Sequence, residues 1–371
     1  MGRPDWGAAM DIVEATQSYE SWLARKTALV ASELSGKHDV MDKSAFGFLR
    51  ATYYRWVQVW PEVCGKLATA PKVLSVGDLH AENFGTWRDE EARLVWGIND
   101  FDEAHRLPYT ADLVRLAASL LIAIEEEKIA CSALVACNAV LAGYDKAMAG
   151  DTAAPFVLEE HNQHLRALAL SDNRKPSRFW KKLAAAKNAQ PPRKLRKLLR
   201  AHLPKGTHKL RFAGRVAGAG GLGLARFVAI GKYDGGYIAR EAKARAPTAL
   251  AWAGLGKAHA DNYRAILDSA VRAPDPCLWL SKHWLVRRLA PHCERIELKD
   301  VSSSKQLKHL FEAMGAETAN VHRGSRKAVG DIRADLRRRS KTWLHRAAAA
   351  MADATRADWE VWKKRKKANS E

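Results

Sequence analysis

The sequence predicts an α+β protein in which a small antiparallel sheet accompanies a large, mainly helical part. Three observations carry that expectation. Apolar residues recur at three- and four-residue steps over 10–68, over 111–205 and again from Thr248 onward, the spacing of helices with one buried face. Between the second and third of these stretches, 209–244 alternates β-branched, aromatic and glycine residues, as strands and tight turns require. Two short apolar runs, 72–76 and 94–98, read as strands flanking a polar motif.

Taken in chain order, 10–68 is helical with no Gly or Pro break expected before Pro61. The 72–76 and 94–98 strands follow, with the motif in their connecting loop. Helical periodicity then runs to the Gln190-Pro191-Pro192 break and on to about residue 205. Three strands are expected at 210–216, 224–230 and 237–243, the last pair joined by a turn at Asp234-Gly235-Gly236. One further strand, 284–289, interrupts the helices that finish the chain. The expected division is a helical segment 1–70, a polar-motif half 71–205, a sheet part 206–292 and closing helices 293–371.

The 371 residues, 47% hydrophobic, suffice for one large or two-lobed core. No apolar run approaches the roughly eighteen residues of a membrane span, and the Met1 to Trp6 start lacks a signal-peptide apolar region. The chain therefore reads as unexported and cytoplasmic, without a membrane partner. Five cysteines without a C-x-x-C pair indicate neither a zinc site nor a disulfide frame. The net charge of +20 points to anionic partners or to high solubility. Much of it is local: 174–211 holds fourteen Lys or Arg and no Asp or Glu. Basic and apolar residues mix there at helical spacing, which suggests amphipathic helices resting on a core, and no nucleic-acid reading motif accompanies the charge.

The first motif is Gly77-Asp78-Leu79-His80-Ala81-Glu82-Asn83, followed by Ile98-Asn99-Asp100-Phe101-Asp102. Asp78 and Asn83 lie in one loop after a strand, so both can face one cavity, as proton acceptor and metal ligand. Asp100 ends the next strand, where its carboxylate can hold magnesium while substrate phosphates complete the shell. Phosphoryl transfer needs this set. His80 shapes the loop or touches phosphate, Asp102 stands beside Asp100 as a supporting acid, and Asp112 caps a helix or fixes the loop.

The second motif is Gly218-Ala219-Gly220-Gly221-Leu222-Gly223. With strands expected on both sides, it reads as a phosphate-covering hairpin of kinase type rather than a dinucleotide turn opening a helix. A phosphate-pairing lysine then belongs on the third strand, Tyr237-Ile238-Ala239-Arg240-Glu241-Ala242-Lys243.

The first motif resembles the catalytic and metal-binding loops of aminoglycoside phosphotransferases and, more broadly, of the protein-kinase-like superfamily. Phe46 to Arg50, Gly77 to Gly85, Asn99 to Glu103 and Asp112 to Ser119 together resemble a bacterial domain-of-unknown-function family, number 2252. The likeness extends through the glycine loop, Val286-Arg287-Arg288-Leu289 and Gly315 to His322. The resemblance implies a two-lobed kinase-like fold binding ATP and magnesium, with Asp78 catalytic, Asn83 and Asp100 on the metal, and Gly218, Gly220, Gly221 and Gly223 over the nucleotide. It sets Arg240 at the lysine position, with Lys243 as second candidate. Three positions along a strand places Lys243 on the opposite face. No glutamate lies between Glu241 and Glu294, so Asp261 or Asp268 is left to pair with the lysine. Because the glycine motif follows the catalytic loop, the fold is expected to be circularly permuted, with Gly220 over the pocket holding Asp100.

The function expected is phosphate transfer from ATP to a hydroxyl acceptor, an anionic one if the 174–211 stretch lines the cleft. Two alternatives stand beside it. Gly77-Asp78-Leu79-His80 also resembles the opening motif of metal-dependent phosphohydrolases, and a catalytically impaired nucleotide- or anion-binding protein would keep the same residues.

Overall fold

Local signals account for the N-terminal helices. In the computed structural model, which describes residues 10–150, 153–171, 174–215, 221, 223–256, 261–301 and 303–368, helix α1 (Ile12–Ala24) starts at a capping box. Asp11 accepts from the Val13 and Glu14 amides, and Glu14 accepts from the Asp11 amide. Helices α2 (Ala31–Lys43), α3 (Ala45–Ala51) and α4 (Tyr53–Val63) follow. Pro61, expected to break the pattern, lies inside α4; the buried side chains Tyr53, Tyr54, Trp56, Val57 and Trp60 hold that helix against the lost amide bond.

Strand β1 (Lys72–Ser75) leads into the polar motif and pairs antiparallel with β4 (His105–Pro108). Strand β2 (Phe84–Arg88) follows the motif directly and pairs with β3 (Leu94–Ile98), which takes a two-residue β5 (Phe156–Val157) on its other edge. The motif thus joins β1 to β2. Strands β2 and β4 were hidden in the sequence because both are short, and β4 is half charged and ends in proline.

Helix α5 (Tyr109–Glu126) is buried on every side from Tyr109 to Ala123, the signature of a central helix rather than a surface one. Around it pack α6 (Ala133–Ala149), α7 (Gln163–Ala169) and, from the far end of the chain, α12 (Ser304–His322) and α14 (Trp343–Ala368). Gly143 of α6 and Gly315 of α12 let those two helices approach closely: a Cβ at either would run into the partner's backbone carbonyl, Glu312 or Val140. Helix α13 (Val329–Arg338) lies between α12 and α14 in sequence.

The third sheet has five antiparallel strands in the order β6-β7-β8-β10-β9: β6 (His208–Gly214), β7 (Arg226–Tyr233), β8 (Gly236–Ala244), β9 (Trp279–Leu280) and β10 (Trp284–Leu289). Between β8 and β9 lie α10 (Ala249–Trp252) and α11 (Asn262–Ser269). The two basic helices cover this sheet. Phe179 and Leu183 of α8 (Pro176–Ala184) pack with Val228, Ile230, Ala239 and Leu289 on one face. Leu195 and Leu199 of α9 (Arg193–Ala201) pack with Ala229, Ala242 and Val286 on the other. Apolar stripes with charged backs are what the mixed composition of 174–211 required. No helix among the described residues is long and apolar enough to cross a membrane.

Candidate functional site

One stripe of α5 holds the polar motif. Asp112, Arg115 and Ser119 lie on one side of that helix at the spacing that stacks side chains. Asp112, fully buried, accepts from the amides of Val76 (2.7 Å) and Gly77 (2.9 Å). Ser119 Oγ accepts from the Ala81 amide at 3.0 Å. Arg115 donates from Nε (3.1 Å) and Nη2 (2.7 Å) to Asp78 Oδ1, and from Nη2 to the Leu49 carbonyl. His322 of α12 backs this arrangement, with Nε2 2.9 Å from Asp112 and Nδ1 2.8 Å from the Tyr144 hydroxyl. The loop turns at Gly77, whose φ of +87° and contact with the Glu103 carbonyl leave no room for a Cβ.

Asp78 is therefore a half-buried carboxylate, its side chain 16% exposed, with one oxygen engaged. Burial pushes its carboxyl above the usual range against the pull of Arg115. Asn83 donates from Nδ2 to the Asp78 carbonyl at 2.9 Å, so Oδ1 is the end it can offer elsewhere. His80 caps the short turn after it, Nδ1 accepting from the Glu82 amide at 3.2 Å. Burial first, then Arg50, Arg115 and Arg295, hold its imidazole well below its usual value, so it is neutral. Glu82 bridges Arg50 (2.7 Å) and Arg295 (2.6 Å) at the rim.

Across the cavity, Lys243 reaches from β8 to the second half of the motif. Its Nζ lies 3.1 Å from Asp100 Oδ2 and also pairs with Asp102. Burial disfavours the ammonium, but the two carboxylates outweigh it and raise its pKa. Burial likewise opposes ionisation of Asp100, and Lys243 overcomes it and holds that carboxyl below the usual range. Asp102 is raised, by burial and by its neighbour Asp100. The Asp100 side chain stays 41% exposed, open to a ligand.

Arg240 does not occupy this position. Residues 239, 241 and 243 share the sheet face turned to the cavity, whereas Arg240 sits on the other, its Nη1 bonded to the Ala239 carbonyl. The alternation that set Lys243 opposite Arg240 thus works in favour of Lys243. Its acidic partners come from the motif loop, not from α11, where Asp261 caps the helix and pairs with Arg245. Gly221 faces Lys243 and Arg226 closely. Gly223, in the left-handed region at φ +93°, bonds through its carbonyl to the Val30 amide. Gly218 and Gly220 lie outside the described residues.

Asp78, Asn83, Asp100, Asp102, Gly221 and Lys243 line one cavity of about 1180 Å³. Ligand pockets commonly run to about 300–1,000 Å³, so this one lies just past the upper end of that range. Lys and Arg outnumber Asp and Glu along its wall, and Arg178 and Lys182 of the basic α8 contribute. The sheet face beside Lys243 carries Glu241, fully buried and paired with Arg215, Arg226 (3.1 Å) and Arg287 (2.9 Å). Burial opposes that charge, yet the three guanidiniums hold its carboxyl well below the usual range. Among the described residues no three His, Cys, Asp or Glu side chains group as a metal cluster.

A family model described as an uncharacterised protein conserved in bacteria, DUF2252, matches residues 29–217. The chain belongs to this family. No curated protein and no solved structure matches. The DUF2252 match contains Asp78, Asn83, Asp100 and the α5 stripe that holds them, and it ends before Lys243 and Glu241.

Sequence reasoning missed Arg115, Glu241 and Glu317, and read Glu103 only as an extra acid beside a metal ligand, supporting it or lying at the surface. Only Arg115 had a usable signal, the spacing Asp112, Arg115, Ser119 on one helix; the others meet the site only through tertiary packing. Glu103 accepts from the Ala249 amide at 2.7 Å, and burial raises its carboxyl well above the usual range. Glu317 of α12 accepts from the Ile98 amide (3.1 Å) and from Asn320 (3.3 Å), bracing the strand that delivers Asp100. Burial pushes its pKa up to about 7. The folded state thus binds this proton more tightly than the unfolded chain. Its contribution is fully present below about pH 4.5 and is lost as pH rises to about 7. Glu317→Gln is expected to remove about 3 kcal/mol of that dependence. Denaturant unfolding at pH 5 and pH 8 checks this, and equal pH dependence in both proteins would remove Glu317 as its source.

Proposed function

We propose that this protein is an ATP- and magnesium-dependent phosphotransferase acting on a hydroxyl acceptor, with a two-lobed kinase-like cleft whose halves occur in permuted order along the chain. The observation that carries the reading is the Lys243–Asp100 bridge. It joins the third strand of the glycine-hairpin sheet to the loop after β3, inside the cavity that also holds Asp78 and Asn83. Kinase-type cleft chemistry pairs a third-strand lysine and a hairpin with a metal-binding aspartate, a metal-binding asparagine and a base.

The residues fit magnesium. That ion typically takes one or two protein oxygens and completes its shell with water and substrate phosphates. The exposed Asp100 carboxylate and the Asn83 Oδ1 supply that number, with Asp102 adjacent. Bound there with ATP, the ion would neutralise the phosphates and favour departure of ADP.

The protein's own part is positioning and one proton. Asp78 Oδ1 is fixed by Arg115, which leaves Oδ2 to take the proton of the acceptor hydroxyl as its oxygen bonds to phosphorus. Tyr19, Tyr53 and Glu103 stand on the acceptor side, their electrostatic fields coupled to Asp78. Lys243 steadies the donor phosphates as a compact charge.

A second reading, an anion-binding protein without turnover, draws on Glu241 and its three arginines, which put a polar floor where a nucleobase would meet the sheet. Titration calorimetry with ATP and magnesium separates the two. Lys243→Met is expected to weaken binding of magnesium-ATP 10- to 100-fold, and the unaltered protein is expected to release ADP. Absence of ATP binding by the unaltered protein would discard the phosphotransferase reading, and tight binding with no ADP release would favour the second.

A further inference from the structure

The cavity contains a cation that its own structure leaves unsatisfied. Arg174 lies between α7 and α8, is 9% exposed and lines the cavity. Its Nη2 donates to the Glu294 carbonyl at 2.7 Å and lies 3.4 Å from Thr86 Oγ1. Its Nε and Nη1 are buried without a hydrogen-bond partner among the described residues. Burial lowers its pKa, though not to the point where a guanidinium loses its proton. Charged donors left unpaired inside a protein are costly and rare, and they call for a partner.

The place of Arg174 separates it from the Lys243 end of the cleft. Arg174 meets Thr86 on β2 and the Glu294 carbonyl, whereas Lys243 meets Asp100 and Asp102. Arg88 and Arg288 line the same region and act with Arg174 on the turn at Cys293. Neither bonds a carboxylate: Arg288 donates to the Cys277 sulfur, with Asp275 acting on it through space, and Arg88 donates to the Ala92 carbonyl. Glu294, Glu297 and Asp300 also line the cavity and favour the Arg174 charge through space, but the only one of them it bonds is Glu294, through the backbone carbonyl.

We infer that Arg174 is the centre of an oxyanion subsite, distinct from Lys243 and Asp100, which takes a phosphate or carboxylate group of a cleft ligand. An oxyanion there would accept from Nε and Nη1, and charge-assisted bonds of this kind are the strong class. The subsite stands whether or not the protein transfers phosphate; only the identity of the group's bearer rests on the phosphotransferase reading.

Calorimetric titration of the full chain with inorganic phosphate, without magnesium, tests it. Phosphate is expected to bind, Arg174→Gln to weaken that binding at least tenfold, and Arg174→Lys to recover part of it. Unchanged melting temperature in Arg174→Gln would show that the fold is intact. Phosphate titrated against saturating magnesium-ATP then identifies the source: competition places the oxyanion on the donor, and independent binding places it on the acceptor. No phosphate binding by the unaltered protein, or equal binding by Arg174→Gln, overturns the subsite while leaving the ATP reading untouched. Loss of ATP binding with phosphate binding retained does the reverse.

Discussion

Asp78→Asn is expected to lower the rate of phosphate transfer by about 10²–10⁴-fold, the usual contribution of a positioned base, while magnesium-ATP affinity stays within a few-fold. The two effects separate because the donor is held elsewhere, by Lys243 and Asp100. The amide keeps an oxygen for Arg115 but removes the negative charge opposite a guanidinium that is only 1% exposed. Some stability is therefore lost as well, about 1–3 kcal/mol for a buried charged hydrogen bond. Nucleotide calorimetry distinguishes the cases: general unfolding would remove ATP binding together with turnover. A rate within tenfold of the unaltered protein would show that Asp78 is not the base.

Asp112→Ala is expected to have the largest effect on stability, about 3–5 kcal/mol. The carboxylate is fully buried, accepts two loop amides and meets His322. Its removal leaves the Val76 and Gly77 donors buried without a partner in the one segment that orients Asp78. Since whole domains are stable by about 5–15 kcal/mol, the variant is expected to be marginal at 37 °C. Asp112→Asn, which retains one acceptor, is expected to fall between the two. Thermal melts of all three proteins give the order, and an alanine variant as stable as the asparagine variant would mean that Asp112 does not carry the loop.

Much of the architecture was legible because its signals are local. Residues 284–289 appear as β10, 94–98 as β3, and the glycine-punctuated 209–244 as β6 to β8. Strands β2 and β4 were not, being short and without clean alternation. The polar motif was legible as a unit since its residues lie close in sequence. Arg240 and Lys243 show where local reasoning failed. A sequence pattern favoured the first, while strand alternation needs only one fixed neighbour to settle which face points inward, and that neighbour is supplied by the pairing of β8 with β7 and β10.

The sequence alone determined that the chain is α+β, that its cationic helices have apolar stripes, and that Asp78 and Asn83 share a short polar segment after a strand, with Asp100 at the end of a later one. Each of these depends on residues within a few turns of one another. Tertiary structure alone decided which cation meets Asp100, that Arg115 rather than solvent holds Asp78, and that Nε and Nη1 of Arg174 find no hydrogen-bond partner among the described residues. These are contacts between residues far apart in the chain, and burial, which sets both their geometry and their charge, exists only once the helices and the sheet have packed.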